Sequence, residues 1–282
     1  MFKQVTIAGV GLLGSSLGLA MKSRGLAKRV VGVGRRQCSL DVALERGAID
    51  VSSLDLVTGV EGSDCVVLAG PAALVIPMLD TLRLVVNDDC IITDVASTKG
   101  AIAAHADATW HAPRRFIGAH PMAGAEVFGP EHGEAHFYEG SVCLVEEGDT
   151  LDAGARAKVC ALWEAVGTEV VGIDPAKHDD ILAHTSHVPH ILASAIAELA
   201  GQQGDISKFV GNGFRDVTRI AAGRPETWRD ISLTNKAAIL QGVKAMRGRL
   251  DEFSALLAAE DGAGLEDYFE AGKVAREKVV EE

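Results

Sequence analysis

The fold class predicted from the sequence is α/β: a doubly wound, mostly parallel sheet over residues 1–173, followed by an all-helical domain over 174–282. Three observations predict it. A short apolar strand ending at Ala8 runs directly into a glycine-spaced turn, Gly9-Val10-Gly11-Leu12-Leu13-Gly14, and then into an apolar helix. Short apolar strands then alternate with helical segments as far as Gly172. Beyond Asp174-Pro175 strand-like segments cease and long, apolar-faced helices take over.

Composition bounds the class. The 282 residues suffice for two domains, and an apolar content of 48% supports packed cores. A formal charge of −12 excludes a general nucleic-acid binder, so an anionic small molecule would need a local cluster of arginines. The five cysteines (Cys38, Cys65, Cys90, Cys143, Cys160) form no CxxC pair and predict buried thiols in a reducing compartment. The apolar run after Lys3 is interrupted by Gly9, Gly11, Gly14, Ser15, Ser16 and Gly18 and has no convincing cleavage site. It is not read as a signal peptide, and no other stretch approaches membrane-spanning length. A soluble, cytoplasmic chain with no membrane partner is the expectation.

The opening strand and turn predict a Rossmann-type dinucleotide site. Gly9 lets the chain turn sharply, Gly11 lets the backbone approach a pyrophosphate, and Gly14 lets the helix pack close to the strand. Amides around Leu12 and Leu13, with the positive end of the helix dipole, face the phosphates. The second strand, residues 29–33, ends in Gly34-Arg35-Arg36. A carboxylate that binds the ribose 2′-hydroxyl usually stands there. Two guanidiniums in its place could grip a 2′-phosphate, so NADP is expected in preference to NAD. Two solvated surface arginines are the plain alternative.

Residues 40–46 read as a short helix stopped by Gly47. Strand 64–68 ends at Ala69-Gly70-Pro71, and helix 74–84 follows. Strand 91–94, helix 98–108 and strand 116–118 come next. Two final strands, 141–146 and 169–172, flank helix 153–166. Ligands of such sheets sit beyond the carboxyl ends of the strands. That rule selects Gly70-Pro71, Val95-Ala96-Ser97-Thr98-Lys99 and Ala119-His120-Pro121. His120 is expected directly after a strand, where a neutral imidazole could accept a proton from a substrate hydroxyl as hydride leaves the same carbon. A structural histidine is an equal alternative. Ser97 could orient that imidazole or the hydroxyl, or serve as the N-cap of the next helix. Glu126, in the turn-rich run after Pro121, could be an ordinary surface carboxylate.

In the second half helices are expected over 175–200, 206–209, 226–233, 235–260 and 265–280. Asp174 suits the N-cap and Pro175 the first helical position. The unpaired apolar face of such a domain makes a homodimer the default. His184, His187 and His190 recur every third residue and would share one broad helical face. There is no HExxH pattern and no partnered Cys or Asp cluster, so hydrogen bonds to a carboxylate-bearing substrate are favoured over metal. Pro189 should kink the helix and free nearby carbonyls. The run Gly213-Phe214-Arg215-Asp216-Val217-Thr218-Arg219, with Arg224 and Arg229, is the basic cluster of an acidic chain. It suits an anionic substrate held by a guanidinium fork, or else surface ion pairs such as Arg215 with Asp216.

Taken in order, Gly9-Val10-Gly11-Leu12-Leu13-Gly14, Thr93-Asp94-Val95-Ala96-Ser97-Thr98-Lys99, Gly118-Ala119-His120-Pro121-Met122-Ala123-Gly124-Ala125-Glu126, Ser186-His187-Val188-Pro189-His190, Gly213 to Ala221, Trp228-Arg229-Asp230-Ile231 and Asn235-Lys236 run along nearly the whole chain. Together they resemble the prephenate/arogenate (cyclohexadienyl) dehydrogenase family of tyrosine biosynthesis. The resemblance implies oxidative decarboxylation, with hydride passing from the hydroxyl-bearing ring carbon to the nicotinamide. It implies that His120 is the catalytic histidine, assisted by Ser97. It further implies that Arg219 binds the substrate carboxylate, with His187, His190 and Glu126 nearby; Asp216 is counted with this substrate group. The chain departs from many members at Gly34-Arg35-Arg36, where an acidic residue is common, which supports NADP. Nothing after about Val280 provides a regulatory domain, so any feedback by tyrosine is expected at the active site. A β-hydroxyacid-dehydrogenase or imine-reductase-like enzyme is the second reading, and that class does not need the segment from His120 to Gly124. A non-catalytic NADP-sensing protein is the third, opposed by the pairing of His120 with Arg219.

Overall fold

The computed structural model describes residues 1–125 and 127–280. The chain divides into two compact units, Met1–Lys236 and Ala237–Glu282. In the first, strands β1 (Phe2–Ala8), β2 (Ala27–Val33), β3 (Val51–Ser53), β4 (Cys65–Leu68), β5 (Ile91–Asp94) and β6 (Phe116–Ile117) form one sheet in the order β3-β2-β1-β4-β5-β6. Every pairing in it is parallel. The order reverses between β1 and β4, which puts a ligand crevice at their carboxyl ends.

The strands are short apolar runs because helices cover both faces. Helices α1 (Leu12–Ser23) and α2 (Gln37–Glu45) lie on one face, in a core with Ile7, Leu17, Met21, Leu40, Tyr138 and Trp163. After the single turn α3 (Leu56–Gly59), helices α4 (Val75–Leu82) and α5 (Gly100–Thr109) close the other face around Leu68, Leu79, Ile92, Ile102 and Phe116. The helix expected over 74–84 begins instead as a 3₁₀ turn, Ala72–Leu74, before α4.

The main sheet stops at Gly118. Beyond it, β7 (Ala119–Pro121), β8 (Val142–Glu146) and β9 (Glu169–Ile173) form a second sheet, with helix α6 (Ala153–Ala165) joining the parallel pair β8 and β9. β7 runs antiparallel to β8, and His120 pairs with Leu144. His120 therefore lies inside a strand, not directly after one as expected. A buried ion pair explains the break. Arg114, 2% exposed, pairs with Glu146 and donates to the carbonyl of Phe116 (2.6 Å). Glu146 in turn accepts the amide of Gly118 (2.9 Å), so that amide is taken by a side chain just where β6 ends.

From Pro175 onward the described residues fold only as helices and turns: α7 (Pro175–Leu182), a π-helical turn (Ala183–His187), α8 (Val188–Gly201), α9 (Asn212–Thr218), α10 (Pro225–Thr234), α11 (Lys236–Ala258) and α12 (Gly262–Val280). Asp174 caps α7 as expected, accepting from the amides of Ala176 and Lys177 (both 2.9 Å). In the second unit Phe253 packs on Tyr268 and Phe269, at ring separations of 5.5 and 6.0 Å. No described helix is long and apolar enough to cross a membrane. All five cysteines are free. Cys65, Cys90 and Cys143 are buried as expected, Cys160 half so, and Cys38 is exposed.

Candidate active site

The glycine turn between β1 and α1 has the stereochemistry that a dinucleotide requires. Gly9 has φ +109, and a Cβ there would lie 2.6 Å from the backbone of Ala69 and Gly70. A Cβ on Gly14 would lie 2.1 Å from the carbonyl oxygen of Gly9. The turn thus abuts Gly70-Pro71, and the amide of Gly9 donates to Val33 (2.8 Å), one residue before Gly34. Gly11 differs, because a Cβ there would meet nothing within 4 Å. Protein packing does not demand glycine at that position, whereas an approaching phosphate would. No side chain caps α1, so the amides of Leu12, Leu13 and Gly14 stand at its positive end. The Tyr138 hydroxyl braces this end by donating to the carbonyl of Leu13 (2.7 Å). Arg35 and Arg36 lie exposed between β2 and α2, and among the described residues neither makes an ion pair or side-chain hydrogen bond. These residues fit a nicotinamide dinucleotide.

The imidazole of His120 is 8% exposed. Its Nδ1 lies 2.9 Å from Nε2 of His178, whose Nδ1 lies 2.8 Å from the Asp179 carboxylate. The same carboxylate accepts the amides of Lys99 (2.7 Å) and Gly100 (2.9 Å) at the start of α5. The expected N-cap role of Ser97 is therefore filled by Asp179 from α7. Ser97 stays half-buried between β5 and α5, ahead of the helix start. Lys99 and Asp94, 3% and 0% exposed, form a buried ion pair at 2.5 Å, and Asp94 also accepts the amide of Ala119 (3.0 Å). That bond ties the end of β5 to the residue before His120. Burial, then the charges of Lys99, His178 and His187, hold the His120 imidazole well below the usual histidine range. It is neutral at physiological pH and competent as a base.

The three histidines expected on one face do not share it. Pro189 has no amide proton to donate to a carbonyl four residues back, and the helix adjusts with the π turn just before it. His184 turns outward and bonds its own helix at Asp180 (2.9 Å), whereas His187 and His190 are buried. His187 Nδ1 lies 3.1 Å from Nδ2 of Asn235, which also donates to the backbone carbonyl of Asp179 (2.7 Å). The His190 ring stacks on Trp228 at 3.4 Å and 13°. Its buried Nδ1 has no hydrogen-bond partner among the described residues, and the ring borders a groove of about 410 Å³ with Ser194, Gly223, Trp228, Arg229 and Ser232. A Cβ on Gly223 would lie 2.5 Å from the indole Nε1 of Trp228 and 3.0 Å from His190. Gly223→Ala is expected to part the stacked rings, seen as a shifted tryptophan emission spectrum. An unchanged spectrum would count against a tight stack.

Burial lowers the His187 pKa to about 4 from the usual 6.5. An unfolded histidine takes a proton at the higher value, so between the two the unfolded chain binds more protons. Stability contributed by His187 is complete above about pH 6.5 and is lost as pH falls toward 4. Urea denaturation should give lower stability at pH 5 than at pH 7, and His187→Asn should flatten that difference.

Arg219 begins a 3₁₀ turn, Arg219–Ala222, that packs against α8, and its residue surface is exposed. Arg215 and Asp216 are exposed on α9 and do not pair with each other. Arg224 lies over the Phe128 ring at 5.1 Å, and Arg229 pairs with Asp230 at 2.7 Å. Glu126 lies outside the described residues. Among the described residues no cluster of three or more His, Cys, Asp or Glu is arranged to hold a metal ion. His120, His187 and His190 come together in the first unit with three residues given no role from sequence: His178, Asp179 and Trp228. The adjacent acid and imidazole at 178–179, just inside the N-cap of α7, were the available signal. Their partners are distant in sequence.

Family models match along the chain: the nucleotide-binding domain of prephenate dehydrogenase over residues 17–172 and its dimerization domain over 174–271. The chain belongs to the prephenate dehydrogenase family. It is 30% identical over 274 residues to the prephenate dehydrogenase of Bacillus subtilis, covering 95% of this chain and 74% of that one. The crystal structure of prephenate dehydrogenase from Aquifex aeolicus in complex with hydroxyphenyl propionate and NAD+ matches with a TM-score of 0.92 and 28% identity, covering 99% of each chain. That of Synechocystis arogenate dehydrogenase matches with a TM-score of 0.83 and 28% identity, covering 98% of this chain and 100% of that one. The expected family and fold class stand, a Rossmann-type sheet followed by a helical dimerisation domain, as does dehydrogenase activity with a nicotinamide dinucleotide.

Proposed function

We propose that this family member converts prephenate, arogenate or both by oxidative decarboxylation, with His120 as the base. The observation that carries the reading is the buried, neutral imidazole of His120, whose Nδ1 is engaged by His178 so that Nε2 is left for a substrate. A bound nicotinamide supplies the hydride acceptor. His120 takes the proton of the ring hydroxyl as hydride leaves the same carbon. The ring carboxylate departs as carbon dioxide, the ring becomes aromatic, and the proton returns to the phenol oxygen. Gain of aromaticity drives the step, so the protein supplies orientation and one placed base. Ser97 orients the hydroxyl. Burial keeps His187 and His190 uncharged, so they offer hydrogen bonds, and Arg219 offers positive charge to the substrate carboxylate; Glu126 and Asp216 are assigned to the same substrate group on the family resemblance. Steady-state assays crossing prephenate and arogenate with NAD and NADP test this. Turnover of neither substrate with either cofactor would reject it.

NADP is the preferred cofactor in this reading, because the exposed Arg35 and Arg36 side chains have no ion-pair or hydrogen-bond partner among the described residues and follow β2, where the ribose 2′-position is bound in such sheets. Replacing both by Ala is expected to raise KM for NADP about 10–100-fold, the worth of one or two charge-assisted hydrogen bonds, and to leave KM for NAD unchanged. Equal effects on both cofactors would remove the assignment. Residues 1–173 serve the cofactor and 174–282 the substrate and a homodimer, in a cytoplasmic protein. Exposed apolar side chains support the dimer: Leu199 and Phe209 in the first unit, Leu240 and Phe269 in the second. Light scattering should return twice the 29.5 kDa chain mass.

A further inference from the structure

We infer that His178 and Asp179 form a positioning dyad that fixes the tautomer of His120 and shares its proton during turnover. This rests on His120 being the base. The Asp179 carboxylate faces three donors: the amides of Lys99 and Gly100, and Nδ1 of His178. A carboxylate so surrounded only accepts, so His178 carries its proton on Nδ1 and presents a bare Nε2. That nitrogen lies 2.9 Å from Nδ1 of His120, which must then be the protonated nitrogen of that ring. The lone pair of His120 is left on Nε2. Without the carboxylate both rings could hold the opposite tautomer, with the basic nitrogen of His120 turned inward and blocked.

The surroundings also say where a positive charge can rest. His120 faces Lys99, itself paired with Asp94, and His187 from the π turn. Cys143 on β8 is buried, and burial pushes its thiol up, so it brings no charge. His178 has a carboxylate 2.8 Å away. When His120 gains the hydroxyl proton at Nε2, its Nδ1 proton can pass to Nε2 of His178, leaving His120 neutral and the imidazolium against Asp179. The shift reverses when the phenol oxygen recovers its proton, so no proton is gained or lost overall. His178 and Asp179 touch neither substrate nor cofactor in this scheme and act through His120.

The test compares His178→Gln, Asp179→Asn and His120→Asn with the unaltered enzyme, each over a pH series. Both dyad variants should lose about 10–1,000-fold in kcat with KM little changed, because orientation of the base contributes on the scale of general-base catalysis. In Asp179→Asn the acid limb of the kcat/KM profile should also move to lower pH, since the anion that stabilises the protonated pair is gone. A structural role alone would not move that limb. An unmoved limb, or kcat unchanged in both variants, overturns the dyad. If His120→Asn is inactive while both dyad variants are normal, only the dyad falls. If His120→Asn keeps near-normal turnover, the base assignment falls too. Nitrogen-15 NMR of histidine-labelled enzyme reads the tautomers without any variant. His120 and His178 should both carry Nδ1–H at neutral pH, and an Nε2–H form of His120 overturns the inference.

Discussion

His120→Asn is expected to lower kcat by about 10²–10⁴-fold while leaving cofactor affinity unchanged, as read by steady-state kinetics and by fluorescence titration with the dinucleotide. Asparagine keeps the polarity and much of the bulk of imidazole but is no base at neutral pH. The ring sits within β7, and its loss touches neither the glycine turn nor Gly70-Pro71. The effect should therefore fall on turnover alone. The neutral state matters as much as the place. A histidine titrating at its ordinary value would be partly protonated and inert in mildly acidic conditions. Burial and Lys99 hold the His120 pKa down, so activity should persist below pH 6.5. A variant with near-normal kcat would remove His120 from the chemistry.

Lys99→Met should cost about 3–5 kcal/mol of stability by urea denaturation, among the largest losses available from one substitution in this chain. Asp94 is 0% exposed, and its carboxylate would be left buried without a counter-charge. The Ala96 and Ala119 amides would still donate to it, at 3.1 and 3.0 Å, but two amides do not neutralise an anion. Replacing both partners, Asp94→Leu with Lys99→Met, should recover part of the loss, since an apolar pair of similar volume leaves no orphan. A single variant destabilised by less than about 1 kcal/mol would show that water reaches Asp94. Lost activity should accompany lost stability, because Asp94 holds the residue before His120.

The parallel sheet was legible because its strands are buried on both faces and read as unbroken apolar runs. The glycine turn was legible because its spacing is a local steric requirement. His120 stood out from its place near a strand's carboxyl end. What escaped depends on partners far along the chain. Nothing local announces that Glu146 takes the amide of Gly118 and ends the main sheet there. Ser97 looked like an N-cap because Ser is a good one, yet the cap comes from Asp179, which accepts the amide of Lys99 from 80 residues further along the chain. The histidines at 184, 187 and 190 follow helical spacing, but that arithmetic assumes 3.6 residues per turn throughout, and the π turn breaks it. Helix α9 was hidden by its charged, glycine-containing sequence.

The wider turn at Ala183–His187 sets the rotational phase of everything after it in α8. One residue advances an ideal helix by about 100°. Drawing this turn into regular α-helix without changing its length would rotate α8 by about that angle, and His190 would swing away from the indole on which it lies. The direction in which α8 presents His190 therefore depends on the one extra residue that this turn absorbs, and losing its extra width would redirect the ring as surely as replacing it.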